Sequence, residues 1–266
     1  MRKYQSVLMG LMVAGLFSCK KEDAPVGSTN PLLKVVSKAG SDSIVSEYSF
    51  DGAGRLAQEK IIVVEDSESE IQTLSIVRDG SGKATRVVYA YAGSDPSTEV
   101  TDYIYNGSKV KHGIWNFNFN GLTVKDSVAF TYASKVSKTA HYLSLLGAQA
   151  TLGNYNEYTY DGRGNMTQAK LYSLFGPGSA ELTATISFEY DTNVNPWYSN
   201  DDVLVEYVGT QYSSPNNVTK VTVAAADPSE SYQIVNTYEY GPDKRPTKAT
   251  SLYDVTTYQV TYTYKK

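Results

Sequence analysis

The sequence predicts an all-β protein, an antiparallel meander of about 14–16 strands built from repeated hairpins and strongly curved or barrel-like. Three observations carry this. Tyrosine is in large excess, 23 residues against 7 Phe and 2 Trp in a chain of 266. Aromatic-x-aromatic endings recur, among them Tyr89/Tyr91, Tyr103/Tyr105, Phe188/Tyr190 and Tyr262/Tyr264. Asp-Gly-x-Gly turns follow such endings at residues 51–54 and 161–164, with a third at 79–82. Residues i and i+2 of a strand point to one face, so each pair lays two rings side by side on a half-buried surface. Asp then caps the turn, and glycine takes the positive φ that a tight hairpin needs. Open twisted sheets rarely exceed ~10 strands, so a meander of this length must curl or close.

The chain begins Met1-Arg2-Lys3, and an apolar run follows from Val7 to Phe17. That run is far short of the ~20 residues a bilayer core requires, so it reads as the core of an export signal. The signal ends Leu16-Phe17-Ser18-Cys19, which resembles the bacterial lipobox, and Cys19 is the chain's only cysteine. Three segments are therefore expected: a lipoprotein signal peptide (1–18), a lipidated tether (19–30) and a single β domain (31–266). Losing Arg2 and Lys3 moves the formal net charge from −4 to −6. Lys20-Lys21-Glu22-Asp23, just behind the acylated residue, resembles a surface-export signal of Bacteroidetes-type lipoproteins. The expected location is the outer membrane, lipid-anchored and exposed at the cell surface. No transmembrane helix is expected.

Strand-like runs then follow in order, from 32–38 and 43–51 through to 246–254 and 256–265. The stretch 201–208 reads as a short helix or a strand. The longest irregular stretch is 191–217, and such loops are often functional. Gly52-Ala53-Gly54-Arg55-Leu56-Ala57 fits the letters of a dinucleotide-binding loop. That loop must open a helix, and the continuation here is strand-like, so the nucleotide reading is set aside.

The ordered set of motifs resembles a family. Tyr48-x-Phe50-Asp51 and Tyr158-x-Tyr160-Asp161 resemble YD repeats. Phe188-Glu189-Tyr190-Asp191, Asn195-Pro196-Trp197-Tyr198, Ser214-Pro215-Asn216-Asn217 and Tyr238-Glu239-Tyr240 follow. This arrangement is similar to an uncharacterised family of Bacteroidetes lipoproteins described as having a porin-like fold. The resemblance implies a fold and a location but no activity. Residues 241–244 (Gly-Pro-Asp-Lys) depart from the repeat, so a differently shaped turn is expected there.

The composition excludes several function classes. One cysteine rules out a disulfide framework and a Cys-cluster zinc site. The acidic balance argues against nucleic acid. His112 and His141 are expected to be structural or surface residues, and no cofactor or metal is expected. Glu65, Asp66, Glu68 and Glu70 read as a solvated hairpin loop rather than a calcium site, and Asp201-Asp202 likewise. Trp115, alternating with Phe117 and Phe119, is expected in the core. No catalytic residue is assigned. Trp197 and Tyr198, a loop aromatic pair, are the candidate ligand contacts, although packing of Trp197 onto the sheet is the favoured alternative. The expectation is a non-enzymatic binding or interaction module, with a polysaccharide or an envelope protein as partner. Two alternatives stay open, a carboxylate-dependent glycan hydrolase and a structural component of an envelope complex. An integral pore fits poorly, because charges fall on both faces of runs such as 58–60 and 135–139.

Overall fold

The computed structural model describes residues 31–65, 68–92, 96–119, 122–145, 149–174, 179–198, 201–205 and 213–265. The export signal, Cys19 and the tether lie outside the described residues. Sixteen strands run in chain order: β1 (Leu32–Ala39), β2 (Asp42–Phe50), β3 (Leu56–Glu65), β4 (Glu68–Arg78), β5 (Ala84–Ala92), β6 (Ser97–Asn106), β7 (Lys109–Phe119) and β8 (Leu122–Tyr132). The second half comprises β9 (Val136–Leu145), β10 (Thr151–Tyr160), β11 (Met166–Ser173), β12 (Glu181–Val194), β13 (Asn216–Ala225), β14 (Tyr232–Tyr240), β15 (Pro246–Tyr253) and β16 (Thr256–Tyr264). Each pairs antiparallel with the next, and β1 pairs with β16, which closes the sheet into a barrel. Closure removes both edges that a meander would otherwise expose.

Register decides which side chains face inward, because directly opposed residues share a face. One inward row is Ser46–Ile61–Gln72–Tyr91, and the neighbouring outward row is Glu47–Lys60–Thr73–Ala90. Inward positions carry most of the tyrosines, as the repeat predicts, and Tyr48, Tyr103 and Tyr262 are buried. The outer wall carries cross-strand ion pairs on many strands. Lys34–Glu47, Arg86–Asp102, Lys138–Glu157, Lys220–Glu189 and Lys248–Glu239 all lie within 2.6–3.2 Å. Such exposed pairs are worth ~0–1 kcal/mol each. Their larger effect is to mark which face meets water.

The Asp-Gly-x-Gly turns share one geometry. Asp51 Oδ1 accepts from the backbone N–H of Ala53 and Arg55 at 2.9 and 3.0 Å. Asp161 Oδ1 does the same for Arg163 and Asn165 at 2.8 and 2.9 Å, and Asp79 for Ser81 and Lys83. The second glycine supplies φ of 76°, 87° and 88° at Gly54, Gly82 and Gly164. The departure at 241–244 does not change the turn's path. Gly241 N–H still bonds Arg245 O, and Lys244 N–H bonds Gly241 O, as Asp51 with Arg55 and Gly54 with Asp51 do. Lys244 itself takes φ 61° where the other copies place glycine. The expectation of a different shape is thus corrected: the backbone bonds impose the turn, and a lysine bears the strain.

All these turns lie at one end of the barrel, together with the first and last described residues, where Lys265 N–H bonds Pro31 O. Sixteen strands about 4.8 Å apart make a ring too wide for wall side chains alone to fill. The described residues of the segment between β12 and β13 pack into this end. Val203 and Leu204 are fully buried there, and Leu204 N–H and Val205 N–H bond back to Asp201 O and Asp202 O.

Candidate functional site

The plug is tied to the wall all round. Arg78 Nη1 and Nη2 donate to Asp201 Oδ1 and Oδ2 at 2.8 and 2.7 Å. Tyr132 OH donates to Asp202 Oδ2 at 2.9 Å. Burial holds the Asp202 carboxyl above its ordinary range, despite the bond from Tyr132. Lys135 Nζ donates to Ser213 O and Gly164 O. Asn216 N–H donates to Asn165 Oδ1 at 2.7 Å, while Asn165 Nδ2 donates to Asn216 Oδ1 at 3.1 Å. These contacts seal the end that carries the Asp-Gly-x-Gly turns.

The other end opens into a cavity of about 170 Å³ between β6, β7, β8 and β9. Its polar lining is Glu99, Thr101, Asp126 and His141, and Trp115 forms one side. Tyr103 and Val128 lie deeper, and Tyr103 meets Phe130 edge-on with centroids 6.3 Å apart. Gly113 makes the room. A Cβ there would lie 2.8 Å from Val128 Cγ1 and 2.9 Å from Tyr103 Cε1.

Two carboxyls face this space in different circumstances. Asp126 Oδ2 lies 3.0 Å from His141 Nδ1, and the Asp126 side chain is only 10% exposed. Its Oδ1 is buried without a hydrogen-bond partner among the described residues. A buried acceptor left unpaired costs ~1–3 kcal/mol, a cost that a donor entering the cavity would offset. Glu99 has its pKa raised by burial alone. It in turn helps to raise Tyr89 to about 12, after burial and ahead of Glu59.

The search for relatives finds no matching family model, and no curated protein matches. Solved structures do match. A porin-like protein from Bacteroides uniformis aligns with a TM-score of 0.55 at 11% identity, covering 91% of this chain and 98% of the other. The fold is that of a porin-like barrel. A porin-like protein from Bacteroides vulgatus aligns at 13% identity with a TM-score of 0.47, covering 89% and 99% of the two chains. The likeness lies in the fold. The wall of this porin-like barrel is organised with aromatics inward and paired charges outward, whereas a lipid-facing wall needs an apolar outer band ~25 Å tall. An apolar outward row does cross β1 to β4, at Val36, Val45, Ile62 and Ile71, but the row beside it holds Lys34, Glu47 and Lys60.

The residues singled out in the sequence fall as follows. Trp197 is 5% exposed at the sealed end, edge-on to Tyr48 and Tyr262 at 6.3 and 5.6 Å. This is the packing alternative. Tyr198 is half-buried, with Lys135 Nζ 5.5 Å from its ring. Asp201 and Asp202 serve the plug. His112 faces outward on β7, opposite Ile104 and Ala129. Glu65 and Glu70 flank the mouth, and Asp66 lies outside the described residues. No cluster of three or more acidic, His or Cys side chains suited to a metal occurs among the described residues. Trp115, expected in the core, lines the open cavity.

Sequence reasoning missed Glu99 and Asp126, and placed His141 only as a structural or surface residue. A signal was present: on β6, β8 and β9 a polar or ionisable residue sits at an inward position otherwise given to Val, Tyr or Phe. That parity becomes visible only once register is known.

Proposed function

We propose that this protein is a lipid-anchored, non-enzymatic capture module that holds one unit of a small polar ligand, such as a saccharide, in the open half of its barrel. The observation that carries this is Asp126 Oδ1, a buried carboxylate oxygen without a hydrogen-bond partner among the described residues, in a cavity walled by Trp115. A sugar hydroxyl can donate to that oxygen while its apolar ring face meets the indole. An engineered cavity of ~150 Å³ takes benzene, so about 170 Å³ suits one six-membered ring.

The chain's path supports the anchored reading. Residue 31 lies at the plugged end. A tether of residues 19–30, acylated at Cys19, would leave from there and reach ~40 Å at full extension. The open mouth would then face away from the outer membrane, toward material outside the cell. The charged outer wall favours this over a barrel set into the bilayer.

The test uses the mature chain with Trp197→Phe, which leaves Trp115 as the only indole. Titration with a saccharide panel should change Trp115 emission saturably. Gly113→Val, which crowds the cavity, should remove the response. A flat response from folded protein to every saccharide and to small organic ions would overturn the proposal. Glu99 and Asp126 in one cavity also supply what the glycan-hydrolase alternative needs. Release of reducing sugar that Glu99→Gln abolishes would establish that alternative instead.

A further inference from the structure

The open half of the lumen is unbalanced in charge. Inward register positions on β2, β3 and β4 place Asp42, Glu65 and Glu70 toward the mouth, and Glu59 lies buried below them. Glu99 and Asp126 add two more carboxyls at the cavity. Among the described residues, one imidazole faces inward in this half, His141, already within hydrogen-bond reach of Asp126; Glu59 and Glu65 have interactions of their own, which leaves Asp126 and Glu99 to meet a ligand. Among the described residues, no lysine or arginine occupies an inward strand position in this half. Lys34, Lys60, Lys125, Lys138 and Lys170 all alternate outward, and Arg78 and Lys135 serve the plug. Acidic side chains near the mouth also act on one another's neighbours: the Tyr258 phenol is raised by burial and then by Glu65 and Asp42.

A cleft lined by one sign of charge, with low-dielectric walls, focuses its field on whatever enters. Here the unpartnered Asp126 Oδ1, the Glu99 carboxyl and the Trp115 ring meet in one ring-sized space. An ammonium group satisfies all three, through charge-assisted hydrogen bonds to the carboxylates and attraction to the indole face. We propose that the ligand of this lumen is a cation, an ammonium-bearing molecule of about one ring's size held by Asp126, Glu99 and Trp115. This rests on the reading of the cavity as a binding site and names the chemistry that it selects. An anionic unit is excluded by the same field.

The experiment is calorimetric titration of the detergent-solubilised mature chain with four probes: glucosamine with its amine protonated, cyclohexylammonium, glucose and glucuronate. The two cations should bind at least tenfold tighter than glucose, and glucuronate should not bind. Asp126→Asn should weaken the cations at least tenfold more than it weakens glucose, and Glu99→Gln should act in the same direction. Added salt should weaken the cations in the unmodified protein, a readout that survives if a variant fails to fold. Glucosamine alone among the cations would identify an amino sugar, and cyclohexylammonium alone a simple amine; either supports the inference. Glucose or glucuronate binding as tightly as the cations would overturn it while leaving the capture function standing. No binding by any of the four would overturn both.

Discussion

Arg78 and Asp201, 123 residues apart in the chain, form a two-pronged ion pair at 2.7 and 2.8 Å between the barrel wall and the plug. The Arg78 side chain is 7% exposed and that of Asp201 19%. Asp51 Oδ2 lies 3.8 Å from Arg78 Nε, so the guanidinium also ties the first Asp-Gly-x-Gly turn to the plug. Burial works against this cation, and the hydrogen bonds and charges of Asp201 and then Asp51 more than restore it.

Removing one partner should therefore cost more than removing both. Arg78→Met leaves Asp201 half-buried and uncompensated, and about 2–4 kcal/mol of stability should be lost. The double variant Arg78→Met/Asp201→Asn should recover part of that loss. Urea denaturation of the four proteins of the cycle measures the coupling, and strict additivity would show the pair to be inert.

Trp197→Ala opens a hole between Tyr48 and Tyr262 at the sealed end. The expected loss is ~3–5 kcal/mol, the range for large-to-small aromatic changes in a core. Thermal unfolding followed by circular dichroism checks this. Trp197→Phe should lose much less.

Lys244 is the one repeat-turn residue that takes the left-handed position without being glycine. Lys244→Gly should relieve ~1 kcal/mol of backbone strain, offset in part by the freedom that glycine gains when unfolded. A small rise in melting temperature is expected. The converse change, Gly164→Lys, should destabilise the barrel, because that glycine sits at φ 88°.

Acid should unfold the protein through its turns. Burial tends to raise the Asp51 and Asp161 carboxyls. Hydrogen bonds win and hold both below their ordinary range: at Asp51 those from the Arg55 backbone and side chain, at Asp161 those from the Asn165 side chain and backbone and from Arg163. A carboxylate depressed in the folded state contributes stability above its unfolded pKa of about 4 and loses it as pH falls through the folded value. Stability should therefore fall below about pH 4. Asp161→Ala should cost about 1–2 kcal/mol at neutral pH and flatten that acid limb. Denaturation midpoints across an acid-to-neutral series provide the check. Asp202 runs the opposite way: burial raises it, so its protonation relieves a cost that is present at neutral pH.

The local chemistry was legible in the chain. Tyr-x-Tyr alternation sets an inward aromatic face, and Asp-Gly-x-Gly sets a hairpin, because each depends on residues within a few positions of one another. A meander of about 14–16 strands follows from repeating that unit. The turn at 241–245 shows the limit of local reading, since its letters differ while its backbone bonds do not. Closure is a contact between Val35 and Tyr262, more than two hundred residues apart, and no local pattern encodes it. The same holds for Trp197, Val203 and Leu204, which lie in the irregular stretch 191–217 but pack, buried, into the ring that closure creates. It holds most of all for the cavity. Glu99, Asp126 and His141 are scattered residues in sequence, and only strand register turns them to one side of one space. The sequence by itself determined the hairpin and the inward tyrosines. The tertiary structure alone decided that the sheet closes, that its own loop seals one end, and that the acidic side chains left over meet at the other. The reason is that these depend on pairing over distance, which side-chain alternation permits but does not specify.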